Sequence, residues 1–237
     1  VEFHLRPETL QANWRAVLDV QRAGVFSIRL RIPQSLRHLD IRGERMGQDV
    51  PAAAVESHHP VEGEPGLVQV NFSRKAKGRV GLRVVAERDL NEPALLKPDG
   101  ESVALAVPLP HSDTVARRDG GLIVYAPESL RVNADELTGL RPVSPGQATG
   151  GWPNGTIPAG LSPALAFDFG DGDTALRVQA ERRRPHVTVR QVLKTRIEPG
   201  VAQFDARLFY TVRYSGIPAV DVHLPVAIAN RIRLFTK

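Results

Sequence analysis

The residues best suited to chemistry in this sequence are three closely spaced aspartates and two adjacent histidines. Asp168, Asp171 and Asp173 lie within DFGDGDT, and carboxylates at such spacing are typical calcium ligands. The segment lacks the remaining ligands of a complete calcium-binding loop, and its glycines suit a hairpin turn equally well. His58 and His59 point to opposite sides of an extended chain and do not converge on one metal. The sequence therefore predicts no metal and no cofactor.

The sequence does not support nucleophilic catalysis. The chain contains no cysteine, which excludes thiolate catalysis, disulfides and cysteine-based zinc sites. It has no Gly-x-Ser-x-Gly motif, the signature of the serine nucleophile in α/β-hydrolases. Carboxylate pairs for sugar hydrolysis meet only in the folded chain, and the sequence singles out no such pair. We therefore predict no catalytic residue.

Two features could bind a ligand. Arg182, Arg183 and Arg184 form the densest basic cluster of the chain, and they could contact an anionic glycan, a lipid headgroup or a phosphate. A solvated strand end that discourages edge-to-edge pairing explains the same cluster. Trp152 lies in a loop rich in glycine and proline and is the best candidate for a side chain that stacks on a sugar. These four residues are the predicted ligand-binding residues.

The overall charge does not indicate a nucleic-acid partner. The net charge is +5, and the 31 basic residues comprise 26 arginines and five lysines. These charges are scattered over alternate positions, whereas a nucleic-acid footprint is a basic patch or stripe. No apolar run approaches the roughly 18–20 residues that span a bilayer. We predict no nucleic-acid binding and no membrane span in this segment.

The elements that must position these residues are predicted to be β-strands. Apolar and polar residues alternate in most segments; Phe26, Ile28, Leu30 and Ile32, for example, are predicted to face a core. No segment has a convincing helical period. Short spacing between strands, with turn residues between them, is typical of a sandwich. The sequence therefore predicts an all-β fold, an antiparallel β-sandwich of the supersandwich type.

Glycine and proline punctuate the chain and suggest its division. The segment 89–100, DLNEPALLKPDG, is predicted to link two sandwich-type halves, residues 1–90 and 100–237. The larger half contains a long loop at 139–163, in which 11 of 25 residues are glycine or proline. The GDGD sequence within DFGDGDT is predicted to turn a hairpin between the strands that flank it.

Part of the chain recurs. Residues 18–41 match residues 210–234 at a constant offset of 192 up to the shared proline, which pairs Val20 with Val212, Gly24 with Gly216 and Pro33 with Pro225. The shared positions are strand, turn and stop signals, and none of them has a chemical role. The apolar residues of both copies, including Val220, Val222 and Leu224, are predicted to face a core. The repeat thus predicts duplicated architecture.

Three runs carry a resemblance to a known group of proteins: AGVFSIRLRIPQSLRHLDIRGE, VYAPESLRVNADELTGLRPV and RRRPHVTVRQVLKTRIEPGVAQFDARLFYTVRYSGIPAVDVHLP. They resemble segments of very large, β-rich, uncharacterised bacterial envelope proteins, in which strand-rich modules repeat along the chain. The resemblance implies an all-β fold and a location in the cell envelope, periplasmic or extracellular. It implies no activity, because that group has no assigned catalytic residues.

These observations leave three hypotheses for function. The first is a non-catalytic structural or protein-interaction segment of a larger bacterial envelope or extracellular protein, whose partners are neighbouring modules of that protein or other envelope proteins. The second is a carbohydrate-binding or accessory module of a carbohydrate-active enzyme, with an anionic glycan as a possible ligand. The third is an enzyme built on a large β-sandwich. The absence of a chemical motif favours the first.

Overall fold

The chain is almost entirely β-structure in the computed structural model. The structure describes residues 1–109, 111–112, 114–145, 157–226 and 231–233. The elements found there are β1 (Glu2–Leu5), β2 (Thr9–Arg31), β3 (Arg37–Gly43), β4 (Val55–Pro60), β5 (Leu67–Asp89), α1 (Pro93–Leu96), β6 (Ser102–Val107), β7 (Gly120–Ala126), β8 (Leu130–Thr138), β9 (Leu140–Pro142), β10 (Ser162–Phe169), β11 (Ala175–Arg182), β12 (His186–Glu198) and β13 (Val201–Arg213). The all-β prediction is confirmed.

An eight-stranded sheet forms the main layer of the structure. Its strand order is β3-β5-β2-β1-β7-β10-β9, and β4 pairs with β5 on the edge opposite β2. Neighbouring strands run antiparallel, except that β1 and β7 are parallel. The two long strands β2 and β5 pair along almost their full length, from Thr9↔Asp89 to Arg31↔Leu67. The sheet is therefore organised around this pair.

A bulge in β2 changes which side chains face the core. The register between β2 and β5 shifts on both sides of Val25, and Val25 packs against the core cluster. The two irregularities therefore exchange the faces of β2 only around this residue. Ile28 and Ile32 are buried as predicted, but Phe26 is 62% exposed, with the Lys75 ammonium 6.0 Å from its ring centroid. The prediction that Phe26 faces the core was therefore wrong.

A three-stranded sheet, β6-β11-β8, forms the second layer. Its apolar side chains join those of β1, β2, β5 and β7 in one buried cluster, which identifies the two sheets as facing layers of a sandwich. Phe3, Leu5, Trp14, Leu122 and Leu176 are among the buried members of this cluster. The sandwich prediction is thus confirmed.

The predicted linker at 89–100 is instead part of the packed core. Leu90, Ala94 and Leu95 are buried, and α1 lies against β6 and β11. The chain divides into two compact units, Val1–Arg184 and Pro185–Lys237. This differs from the predicted boundary, because β7, β9 and β10 belong to the same sheet as β1, β2 and β5.

The GDGD turn does not form the predicted hairpin. β10 pairs with β7 and β9 in the large sheet, whereas β11 pairs with β6 and β8 in the small one. The four residues therefore carry the chain from one layer to the other. Arg118 secures this crossing: its backbone N–H donates to the Asp171 carboxylate, and its guanidinium donates to the Gly172 carbonyl and to Thr174 Oγ1.

The strands found among the described residues of the second unit form one long antiparallel hairpin. β12 and β13 pair without a register shift from His186↔Arg213 to Glu198↔Val201, and Pro199 and Gly200 make the turn. All of the residues on both strands are exposed except Leu208, which is half-buried. The hairpin is amphipathic, because residues directly opposite one another share a face and faces alternate along each strand.

The hairpin repeats the first hairpin of the chain residue for residue. Four cross-strand pairs recur at the offset of 192: Glu2↔Asn13 as Lys194↔Asp205, Phe3↔Ala12 as Thr195↔Phe204, His4↔Gln11 as Arg196↔Gln203, and Leu5↔Leu10 as Ile197↔Ala202. Pro7 and Pro199 both follow the first strand. Arg22 and Tyr214, again 192 residues apart, both have a positive φ, 63° and 73°, which is uncommon outside glycine. The duplicated architecture extends back from Val20 to the start of β1.

The later part of the repeat diverges. Residues 25–31 form the outer half of β2 and pair with β5, whereas residues 219–224 form no strand. Val220, Val222 and Leu224 are exposed, so the prediction that they face a core was wrong. In the first copy the equivalent Ile28 and Ile32 pack in the core cluster, whereas no strand of the described residues pairs with residues 219–224.

Candidate functional site

A cluster of charged and polar side chains lies on the face of the large sheet that points away from the small one. Alternation along β1, β2 and β5 brings Glu2, His4, Asn13, Arg15 and Arg83 onto this face. Asn13 Nδ2 donates to the Glu2 carboxylate at 3.1 Å, and Arg83 Nε donates to Asn13 Oδ1 at 3.0 Å. Glu2 and Asn13 are both buried. The side chains of His4, Arg15 and Arg83 are partly exposed, so the cluster is a continuous network with a buried centre.

Ion pairs extend the network to a second carboxylate. Glu2 lies 3.7 Å from His4 Nε2 and 3.9 Å from Arg15 Nη1. Glu44 then links the two arginines, at 3.5 Å from Arg15 Nε and 3.7 Å from Arg83 Nε. Within the described residues, His4 Nε2, Arg15 Nε and Glu44 Oε2 are buried without a hydrogen bond, but each lies within 4 Å of an opposite charge. The cationic and anionic groups thus neutralise one another.

Electrostatics keep Glu2 ionised. Burial raises the pKa of the Glu2 carboxyl, but the neighbouring His4 ring and Arg15 guanidinium outweigh it, so that the pKa lies below its usual range. A general acid needs a raised carboxyl pKa near the working pH. Glu2 is therefore suited to hold the network together and not to donate a proton. Burial raises the pKa of the Tyr125 hydroxyl, and the charge of Glu2 adds to this; the Tyr125 ring contacts His4 edge-on at 5.6 Å.

The aspartates of DFGDGDT do not converge on a metal. Asp168 pairs with Arg141 at 2.8 Å across β10 and β9, and Asp171 accepts the Arg118 backbone N–H and pairs with Arg117 at 3.5 Å. Among the described residues, no three His, Cys, Asp or Glu side chains lie close enough together to hold a metal ion. The two carboxylates instead secure the crossing between the sheets.

One open pocket lies beside this crossing. It has a volume of about 460 Å³ and is lined by the residues around the Arg141–Asp168 pair, including Gly139 and Gly170. The only charged groups among its lining residues are Arg141 and Asp168, which bind each other. The pocket therefore offers a substrate no convergent set of unpaired catalytic groups.

The predicted ligand-binding residues occupy different positions. Arg182 ends β11 opposite Leu130, and the Arg183 backbone N–H donates to the Ser129 carbonyl. Arg184 is exposed, and its guanidinium donates to the Asp99 carbonyl at 3.1 Å. The arginines thus take part in contacts within the first unit, and they remain predicted ligand-binding residues. Trp152 lies outside the described residues.

The second unit presents a large uncharged surface that the sequence analysis missed. We call it the apolar face of the hairpin; it consists of Val187, Val189, Gln191, Leu193, Thr195, Ile197, Ala202, Phe204, Ala206, Leu208, Tyr210 and Val212. Ten of these twelve residues are apolar or aromatic and none is charged. Ile197 is 80% exposed and Phe204 is 57% exposed. An exposed apolar patch of this extent marks an interaction surface.

The opposite face of the hairpin is basic. It carries His186, Arg190, Lys194, Arg196, Arg207 and Arg213, with Glu198 and Asp205 as its acidic residues. The Arg190 guanidinium lies 5.4 Å from the centroid of the Phe209 ring. The alternation of apolar and polar residues along Phe204–Tyr214 is visible in the sequence, but alternation alone does not show whether the apolar side faces a core or solvent. The internal repeat was the signal that could have shown these residues to be one face of a hairpin, because it aligns them with the first hairpin of the chain.

Comparison with known proteins identified no family for this chain. A scan against models of protein families and a search of curated proteins both found no match to this chain. No helix in the described part of the chain is long and apolar enough to cross a membrane.

Proposed function

We propose that this chain is a non-catalytic structural and protein-interaction β-sandwich segment of a larger bacterial envelope or extracellular protein. The observation that carries the proposal is the apolar face of the hairpin, which is uncharged and exposed along both strands. Burial of apolar surface is the main driving force of protein association. Such a surface is costly to leave in water.

The polar groups of the first unit support a structural role. Its buried charges pair with one another, as Glu2 does with Arg15 and Glu44 does with Arg83. The carboxylates near the pocket are also paired, Asp168 with Arg141. Catalysis needs a group whose proton or lone pair is directed at a substrate, and these groups are directed at each other.

Site-specific photo-crosslinking tests the proposal. A photoreactive amino acid replaces Phe204 on the apolar face or, as the control, Val192 on the basic face; both side chains are about half exposed. Each variant is expressed as the full chain in bacterial cells and irradiated. Interaction through the apolar face predicts a discrete crosslinked species at Phe204, identified by mass spectrometry, that is absent at Val192. Absence of crosslinks at Phe204, or the same products at both positions, would contradict the proposal.

A further inference from the structure

The first hairpin of the chain shows which strands pair with a hairpin of this kind. In the first copy, β2 has β1 on one side and β5 on the other, and β1 also pairs with β7. The side chains equivalent to the apolar face lie in the core: Leu5 is 1% exposed and Ala12 is 0% exposed. Their counterparts 192 residues later are Ile197 and Phe204, at 80% and 57%. Side chains at equivalent positions of the same strand register are thus buried in one copy and exposed in the other.

We propose that the second unit accepts an antiparallel β-strand along β13, from a further copy of this repeat and with the residue pattern of β5. The proposal rests on the interaction role proposed above and names the kind of partner. β5 alternates an apolar row, Val80, Leu82, Val84 and Ala86, with polar residues on its other side. Strand addition satisfies the outer hydrogen-bonding groups of an edge strand and aligns alternate side chains on one face.

The first copy fixes the register of the added strand. Trp14, Ala16 and Leu18 lie opposite Val84, Leu82 and Val80 of β5. At the offset of 192, the added strand places the equivalents of those three β5 residues opposite Ala206, Leu208 and Tyr210. These three residues all belong to the apolar face, so the added strand extends that face without introducing a charge. A slip of one residue would place its polar row there instead.

The second unit has the physical properties of an incomplete sheet. A two-stranded hairpin is at best marginally stable in water, and a third strand with an apolar face provides independent stability. In the first copy the added pairing runs from Thr9 to Val20, opposite Gly78–Asp89. The equivalent stretch on β13 is 201–212, all of it uninterrupted strand. The length available on β13 therefore matches the length of the stretch of β5 that pairs with β2.

A synthetic peptide with the sequence of residues 78–89, GRVGLRVVAERD, tests the proposal. Its binding to the full chain is measured by fluorescence anisotropy. Leu208→Lys places a charge in the apolar row and is expected to weaken binding at least about tenfold. Gln203→Lys is the matched control, because Gln203 lies on the basic face where the first copy pairs Gln11 with Glu87. That variant is expected to bind at least as tightly as the wild type, because its new lysine lies opposite Glu87 of the peptide.

A charge exchange tests the register itself. Arg207 is the counterpart of Arg15, which lies opposite Arg83, so the peptide should place Arg83 beside Arg207. Like charges directly opposite are destabilising and opposite charges are stabilising. Arg83→Glu in the peptide, or Arg207→Glu in the chain, is expected to strengthen binding a few-fold, and the two changes together are expected to cancel that gain.

Three results would overturn this proposal. They are no binding of the peptide, binding that Leu208→Lys leaves intact, or self-association of the wild-type chain that the same substitution abolishes. Such self-association would mean that the second unit of another chain, and not a strand with the pattern of β5, is the occupant. A crosslink from Phe204 to an unrelated protein would also overturn it while leaving the broader interaction role in place. Absence of any crosslink from Phe204 would instead contradict the broader proposal that the apolar face is an interaction surface.

Discussion

Glu2 is the residue on which the buried charge network of the first unit depends. It accepts a hydrogen bond from Asn13 and lies within 4 Å of both His4 and Arg15. Its lowered pKa means that the folded chain favours the carboxylate. A carboxyl with a lowered pKa stabilises the fold fully above its unfolded-state pKa of about 4.3, and the contribution is lost as pH falls through the folded-state value.

Glu2→Gln should therefore destabilise the chain in a pH-dependent way. At pH 7 the variant is expected to lose about 1–3 kcal/mol of unfolding free energy, because the Arg15 and His4 groups lose their buried partner. The difference from wild type should shrink as pH falls below 5, where protonation removes the wild-type advantage. Urea denaturation from pH 3 to pH 7 measures it, with Glu56→Gln on exposed β4 as the control. A difference that does not vary with pH would contradict the role given to Glu2.

Single residues also show the limits of the sequence analysis. Ile28 and Ile32 were correctly assigned to the core, but Phe26 was not. The register shifts on both sides of Val25, so the faces of β2 exchange only around that residue, and no residue type in that segment indicates a bulge. The buried network was missed as well, because Glu2, Asn13 and Arg83 are brought together by strand pairing across more than 70 positions of the chain.

At the scale of elements, the short helix α1 replaces the predicted linker. Pro93 stands at its first turn, where the missing N–H costs nothing. Four residues are too few for a helical period, which is why the sequence suggested only a loop. The prediction of a hairpin at GDGD was wrong for a related reason: the turn residues were recognised correctly, but the flanking strands belong to different sheets. Local signals identify turns, whereas strand partners depend on the whole fold.

Adjacent leucines in α1 test whether the segment is part of the core. Leu95 is 0% exposed and Leu96 is 46% exposed. Leu95→Ala is expected to lower the free energy of unfolding by about 2–5 kcal/mol, the usual cost of a leucine-sized core cavity. Leu96→Ala should change it by about 0.5 kcal/mol or less. Thermal or urea unfolding of both variants measures the effect. Equal losses of unfolding free energy would indicate that the segment is a linker and not part of the core.

At the scale of the molecule, the sequence predicted the fold class and the existence of a repeat. The alternation of apolar residues was sufficient for an all-β sandwich, since strand periodicity is a local property. The division of the chain at Arg184 was not predicted, because β7, β9 and β10 return to the sheet that β1 begins. The extent of the repeat emerged only when cross-strand registers could be compared, as for Leu5↔Leu10 and Ile197↔Ala202.

The duplication explains why one chain contains both a well-covered hairpin and an uncovered one. In the first unit, the side chains of β1 and β2 that face the small sheet form much of the core, and their other face carries the buried charge network. In the second unit the same faces are the apolar face and the basic face. The second hairpin has the backbone pattern of a sheet that a partner completes.

Amide hydrogen exchange of the full chain tests this account most directly, because the repeat supplies its own control. Each amide of β13 from Val201 to Val212 is compared with the β2 amide 192 positions earlier. An uncovered hairpin opens more readily than one within a core, so the β13 amides are expected to exchange at least about a hundredfold faster in the absence of a partner. Equal protection of the two strands would contradict the central claim, since the second hairpin would then already be covered.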